Sequence, residues 1–335
     1  MRLFQGEVIQ IFGMLNWDKE RMTFVAFKGF RTDKTDHKLI AIEDVVLFDH
    51  CLFVFSTIPD TKFLEAVSVL VKKAHLSKKS SEAMYQEAER LLLKEINLES
   101  YKTVDENISI RSLVEATRAN RFDAEYWQPK YDAMLKRIAT YKGGVSTVGE
   151  QFTALKNNFK SEAGKTYRYI EIGDVSTSNG EVGYTELPTI ELPANAKIEF
   201  GERQLIASKV RPNRGAVAIL ENHKGYIGSG AFTVLKEKGQ VPLEVLMVYL
   251  KTEPIRDLLL RYNVGTSYPV IRDEDILNLP IPLLNEKDTT DIVKNVITAH
   301  KNLAEAKALI DLAKRAVEAF IEKDENTAFK VIQAA

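Results

Sequence analysis

Cysteine is almost missing from this chain: Cys51 is the single one in 335 residues. One thiol excludes an internal disulfide framework. The five histidines, His37, His50, His75, His223 and His300, are scattered rather than spaced as metal ligands. There is no apolar run of about eighteen residues, the length that would read as a membrane span. The first ten residues, MRLFQGEVIQ, lack the basic-then-apolar order of a signal peptide. These absences point to a cytoplasmic protein with no membrane partner. Excess charge is lacking too. A formal net charge of -1 argues against a protein that coats nucleic acid by bulk electrostatics, because non-specific affinity needs many Lys and Arg contacts to phosphates. Any nucleic-acid contact must be local.

Catalytic motifs are equally scarce. Gly164-Lys165-Thr166 suggests a phosphate loop, but the required earlier glycine position holds Phe159. Pro59-Asp60 followed by Glu65 hints at nuclease carboxylates, yet Ala66 and Val67 follow and no lysine stands ready to hold a metal-bound water. Asp273, Glu274 and Asp275 read as the charged first turn of a helix or as a solvated loop rather than a metal site. No glycine-rich loop follows a strand as S-adenosylmethionine or dinucleotide binding would require. Asn278 in NLPIP lacks the Pro-Pro-aromatic context of a base methylase. The chain offers no candidate catalytic, metal or cofactor residues and reads as a non-enzyme.

With 45% hydrophobic and 28% charged residues, it is nevertheless a folded protein with two or three packed units. Short apolar runs at 22–27 and 51–56, separated by polar turns, make residues 1–60 a small β-rich unit. From Thr61 to about Leu98, Leu64, Val67, Val71, Ala74, Tyr85, Ala88 and Leu92 follow a 3,4 spacing interrupted by Lys78 and Ser81. Pro59 and Asp60 are its start signal. A shorter helix lies between Asp123 and Lys142, with Pro129 fit only for a first turn. From Gly143 to Leu284, strand candidates TYRYIEI, RQLIASKV, AVAIL, AFTVL and PVI, broken by one helix at 241–262, indicate an α+β domain.

Between Asp291 and Lys323 the periodicity is cleanest: Val296, Ala299, Leu303, Ala306, Ile310, Ala313, Val317 and Phe320 alternate by three and four. Such a helix spans roughly 50 Å and needs a partner. Thr61–Leu98 is the matching one, giving an antiparallel coiled-coil spacer. The alternative is two ordinary amphipathic helices on a globular core.

Several stretches in order resemble the specificity (S) subunit of type I restriction–modification enzymes. RFDAEYWQPKY at 121–131 is similar to the opening of that family's target recognition domain, and YIEIGDVSTSNGEV at 169–182 to its first long strand and turn. LIASKVRPNRGAVAIL at 205–220, GTSYPVI at 265–271 and ILNLPIPLL at 276–284 resemble its later strands and exit. SEAMYQEAERLLLKEINL at 81–98 is similar to the family's conserved helix end.

The resemblance implies a division into 1–60, 61–120 with the first long helix, 121–284 as the target recognition domain, and 285–335 with the second long helix. It implies reading of a half-site in a bipartite double-stranded DNA target, with methyltransferase subunits docked along the helices and a restriction subunit able to join. S-adenosylmethionine, ATP and Mg would then lie on those partners and none in this chain. The usual S chain carries two full recognition domains, whereas 1–60 is less than half the length of 143–284. Either 1–60 is a shortened remnant, or the chain is completed by a second copy or a second S chain. A different reading is a structural adaptor that assembles methyltransferases without reading DNA.

For DNA contact the densest candidate is the turn SKVRPNRGAV, with Lys209, Arg211, Asn213 and Arg214, where Pro212 stiffens the loop and Gly215 permits its exit. Arg and Lys can read guanine or grip phosphate, and Asn can read adenine. Its charges could instead point to solvent or pair with acids such as Glu202. Lys156, Asn157, Asn158 and Lys160 form a second polar stretch. Thr266, Ser267 and Tyr268, with Gly265, form a small-polar loop that could approach a phosphate or be purely structural. Tyr126 and Trp127 read as core anchors and lie outside the site. Acidic and basic side chains are nearly equal in number between 143 and 284, so a positive face must come from arrangement.

Overall fold

The computed structural model describes the backbone of residues 16–18, 23–28, 38–40, 46–48 and 51–53, and residues 61–99, 108–156 and 158–334 with their side chains. The expected β-rich unit at 1–60 therefore falls largely outside the described residues. Within them are β1 Asn16–Asp18, β2 Thr23–Lys28 and β3 Lys38–Ile40, paired antiparallel, and the hairpin of β4 Val46–Phe48 with β5 Cys51–Phe53.

Helix α1 runs Thr61–Glu95, followed by α2 Leu113–Ala119 and α3 Pro129–Ala139. Pro129 sits in the first turn of α3, where its missing N–H costs nothing, and Tyr131, Met134 and Ile138 form the buried face. Then come β6 Val145–Thr147, α4 Val148–Gln151, β7 Phe152–Ala154, β8 Thr166–Ile170, β9 Thr185–Pro188, β10 Ala196–Glu199, β11 Gln204–Ser208, β12 Val217–Leu220, β13 Ile227–Ser229 and β14 Phe232–Glu237. Helices α5 Leu243–Lys251, α6 Glu253–Leu260 and α7 Asp273–Leu277 precede β15 Pro280–Pro282, α8 Glu286–Glu322 and α9 Glu325–Gln333. The fold is α+β, a β-rich domain with two long helices.

The chain divides into two compact units, 1–77 with 304–335, and 78–303. In the second unit one sheet has the order β12-β11-β14-β7 and is antiparallel throughout. A second has the order β10-β13-β8-β9, with β13 and β8 parallel. The first sheet separates two cores, and strand periodicity assigns the sides. Leu205, Ala207, Val217, Ile219 and Leu235 join the core that holds α5, while Ile206, Ala218, Leu220, Phe232 and Val234 join the core with Ile170 and Phe200. A strand buried on both faces has no polar side to alternate, so LIA and VAIL are continuous apolar runs.

Helix α5 is buried along its whole length and packs on β11 and β12, as expected of a helix apolar all round. The single helix expected at 241–262 is in fact two. Pro254 has no N–H for the next helical bond, so the chain breaks at Thr252, whose extended backbone ends α5 and caps α6. PVI is not a strand either: it forms one isolated bridge, Val210 to Val270.

The same unit holds the facing parts of the long helices. Tyr85, Ala88, Leu92 and Ile96 of α1 and Ile292, Val296 and Ala299 of α8 enter the α5 core. Ser81 is buried and donates its hydroxyl to the Ala299 carbonyl at 2.7 Å, and Asn302 donates to Ser80 at 3.0 Å. Ser81 thus belongs to the seam by satisfying its hydroxyl, whereas Lys78 is exposed and lies off it, contrary to the spacing reading. In the first unit, Phe63, Val67, Ala313, Ala316, Val317 and Ala328 form a core of their own. Phe63 stacks on Phe320 at 5.0 Å and meets Phe329 edge-on at 5.8 Å, and Lys73 pairs with Glu305 at 3.3 Å. Contacts rising along α1 therefore fall along α8, which makes the pairing antiparallel. Phe63, rather than Leu64, is the fully buried residue at this end, and Leu303 and Ile310 are only half-buried.

Close packing in the β10-β13-β8-β9 sheet gives a direct test. A Cβ on Gly228 would stand 2.1 Å from the Phe200 ring. Gly228→Ala is expected to destabilise the second unit by about 1–3 kcal/mol through overpacking, read as a lower urea midpoint at unchanged slope.

Candidate nucleic-acid interface

Strand β11 ends at Ser208 and the chain must turn back into β12 at Val217. Lys209 to Gly215 make that turn. Pro212, Asn213 and Arg214 form one turn of 3-10 helix, entered through Arg211 in the left-handed region at φ 51° and left through Gly215 at φ 74°. A left-handed arginine is uncommon and is held by a specific contact: the Arg211 N–H donates to the Pro269 carbonyl at 2.7 Å. The Val210–Val270 bridge and the bond from Ile271 N–H to Lys209 carbonyl, 3.0 Å, fasten the same two loops.

The fold thereby brings together two of the three stretches singled out in the sequence. The Arg211 guanidinium lies 5.4 Å over the Tyr268 ring. The second loop is shaped by Asn263, whose side-chain carbonyl accepts from Gly265 and Val270 N–H at 2.8 and 3.0 Å. Thr266, Ser267 and Tyr268 are exposed at its tip. A cavity of about 410 Å³ opens beside the junction, lined by Arg211, Arg214, Tyr268 and Ala216 and by Gly173 and Thr177 from the segment after β8.

The third stretch is attached elsewhere. Asn158 bridges Ile198 on β10, and Phe159 N–H donates to Lys197 carbonyl at 2.9 Å. Lys156 and Lys160 are exposed there, and Asn157 lies outside the described residues.

The charges of the turn divide in two. Lys209 is half-buried and paired with Asp273 at 3.1 Å, which also accepts from Thr233 at 2.6 Å. Glu202 pairs with Lys224 and leaves the turn alone. Arg211 and Arg214 are exposed and have no carboxylate partner among the described residues. Arg111, Arg121, Arg168, Arg203, Arg261 and Arg272 of the same unit are, by contrast, each paired with an acid. Asn213 keeps its side chain exposed while its carbonyl accepts from Arg256 at 3.4 Å.

Tyr126 and Trp127 are half-buried anchors, as their residue types suggested. Arg121 and Arg261 lie over the Tyr126 ring at 4.7 and 4.5 Å, and Trp127 donates its indole N–H to the Arg121 carbonyl at 2.9 Å. Asp273, Glu274 and Asp275 form the acidic first turn of α7. Among the described residues no three His, Cys, Asp or Glu cluster as metal ligands, and no helix is long and apolar enough to cross a membrane.

Sequence reasoning missed Thr177 and Gly173, which share the cavity, and Arg256, which braces Asn213. It also missed Arg168, exposed between the rings of Tyr184 and Tyr226 at 5.3 and 5.2 Å. Alternating polar and aromatic residues in TYRYI were the one local signal for Arg168. Nothing in the sequence near Arg256 announces its partner.

What this geometry defines is an α+β chain in which one turn, hydrogen-bonded to the loop beside it, presents two arginines without acid partners. No protein-family model and no curated protein sequence matches it. Solved structures do. The HsdS subunit of Thermoanaerobacter tengcongensis is similar over 54% of this chain and 47% of its own, with 22% identity and a TM-score of 0.41. A chain from a structure of complex assembly and conformational transition in the type I R-M system is similar over 52% and 46%, with 21% identity and a TM-score of 0.40. The S subunit of the type I restriction–modification system of M. genitalium is similar over 81% and 59%, with 11% identity and a TM-score of 0.43. The protein thus spans between 46% and 59% of the length of these three chains.

Proposed function

We propose that this chain is a specificity subunit of a type I restriction–modification complex, reading one half-site of a bipartite DNA target through the Arg211–Tyr268 junction. The observation that carries the reading is the pair of exposed arginines, Arg211 and Arg214, left without acids on a turn whose backbone is pinned to the loop beside it. Sequence is read by side chains held in fixed geometry at base edges, and Arg can contact guanine through two parallel bonds. A domain that is otherwise near electroneutral gains selectivity from such a device without strong non-specific affinity.

The long helices serve as the docking surface for methyltransferase chains in this reading. Those chains would bring S-adenosylmethionine, and a restriction chain would bring ATP and Mg. The methyltransferase must extract an adenine from the stack, so a separate chain that fixes register on the duplex is of direct use to it.

The test is to co-express the chain with a methyltransferase subunit encoded beside it, purify the complex, and map methylated adenines on plasmid DNA. A bipartite motif with an unspecified gap is expected, together with no methyl transfer by this chain alone. Methylation that ignores sequence context would leave the adaptor reading in its place.

A further inference from the structure

Lys251, the last residue of α5, is buried and has no carboxylate within ion-pair distance among the described residues. Its Nζ donates to three main-chain carbonyls instead: Ser176 at 3.2 Å, Thr177 at 2.9 Å and Gly215 at 3.1 Å. An ammonium has three N–H donors, so every one is used. A neutral amine has only two, and its lone pair would face the third carbonyl. Ser176 and Thr177 belong to the segment after β8, and Gly215 is the exit of the arginine turn. Thr177, Arg211, Arg214 and Ala216 line the same cavity.

We propose that Lys251 is a positioning residue for DNA recognition: its ammonium clasps the 176–177 segment to Gly215 and so sets the angle at which Arg211 and Arg214 are presented. This deepens the DNA-reading assignment and rests on it. Lys251 itself touches no DNA.

Burial drives the Lys251 pKa down to about 7, with Arg256 of α6 adding to the fall and Glu89 of α1 opposing it. His300 of α8 also faces this region, its Nε2–H donating to the Asn179 carbonyl at 3.3 Å. Burial holds the pKa of His300 below its ordinary value, with the Asn179 hydrogen bond opposing the fall. The unfolded chain keeps its lysine proton to much higher pH, so from about pH 7 upward the unfolded state binds more protons. The Lys251 contribution to stability therefore rises with pH while the clasp is being lost. Weaker DNA binding at alkaline pH then cannot come from unfolding at this residue.

The experiment uses the full chain in its complex with methyltransferase. A random-sequence duplex pool is enriched on it, and the affinity of the enriched duplex is measured between about pH 6 and pH 8.5. In parallel, amide exchange of Arg214 and Gly215, corrected for intrinsic rates, is followed without DNA. Affinity should fall about tenfold across that range, amide exchange should speed up over the same range, and Lys251→Met should bind at the alkaline level at every pH. A flat affinity profile, or exchange that ignores pH, would overturn the clasp. If the pool yields no enriched sequence, the DNA-reading assignment fails, and the exchange profile alone still decides whether Lys251 holds the turn.

Discussion

Replacing Arg211 and Arg214 by alanine is expected to produce the largest loss of DNA affinity of any surface change in the second unit. Each arginine that reads a base edge contributes about 1–3 kcal/mol of discrimination. The two lie in one turn, so their effects need not add. Both are exposed and unpaired with acids, so alanine leaves no buried charge behind and the fold should be untouched.

Two measurements separate the ways in which affinity can fall. A base contact is lost with relaxed methylation at one position of the motif and an unchanged salt slope. A phosphate contact is lost uniformly across sequences, with the slope of log affinity against log salt reduced by about one per arginine. Tyr268→Ala gives an intermediate case, because the ring lies under Arg211 and fixes where the guanidinium points. If the methyltransferase complex assembled on double-alanine protein, folded by its melting curve, methylates the same motif with the same affinity, the turn is structural and the reading is wrong.

The parts of this site that were legible in the sequence are those written in local chemistry. Lys209-Val-Arg-Pro-Asn-Arg-Gly announces a turn because proline fixes one backbone angle and glycine releases another. The structure finds that turn with Gly215 in the left-handed region. Continuous apolar runs at 205–207 and 217–220 announce strands, and their lack of a polar face reflects a core on either side. The proline break within 241–262 was equally written in Pro254, but the apolar residues on both sides of it outweighed it in the periodicity.

What could not be read was convergence. Arg211 and Tyr268 are brought together by the Val210–Val270 bridge, and that bridge follows from the packing of a whole sheet and two helices. Lys251 is a sharper case. In the last turn of a helix a lysine reads as a solvated complement to the helix dipole. Its true setting, beneath two loops from distant parts of the chain, has no local signature. Likewise the seam of the long helices was visible as a period, but the choice of Phe63 over Leu64 depends on the rings of Phe320 and Phe329 that receive it.

A charge placed in that seam should have the largest effect on folding. Val317 is 1% exposed in a core made with Phe63, Val67, Ala313 and Ala316. An aspartate there has no cation to meet among the residues of that core, and an unpaired buried charge costs several kcal/mol, about 4 or more. Val317→Asp is therefore expected to abolish amide protection in 61–77 and 304–333. Strands β11 and β14 rest on their own two cores and should keep theirs. Ile321→Asp supplies the control, since Ile321 is 43% exposed and its substitution should cost well under 1 kcal/mol. Ile310→Asp should fall between the two, because Ile310 is half-buried in spite of its place in the period. Hydrogen exchange read by mass spectrometry distinguishes the segments. If Val317→Asp strips protection from β11 and β14 as fully as from 61–77, the first unit is not an independent folding unit. If instead protection is lost only from 61–77 and 304–333 while binding to the methyltransferase chain disappears, the helices act as the docking surface separately from the domain that carries Arg211 and Arg214.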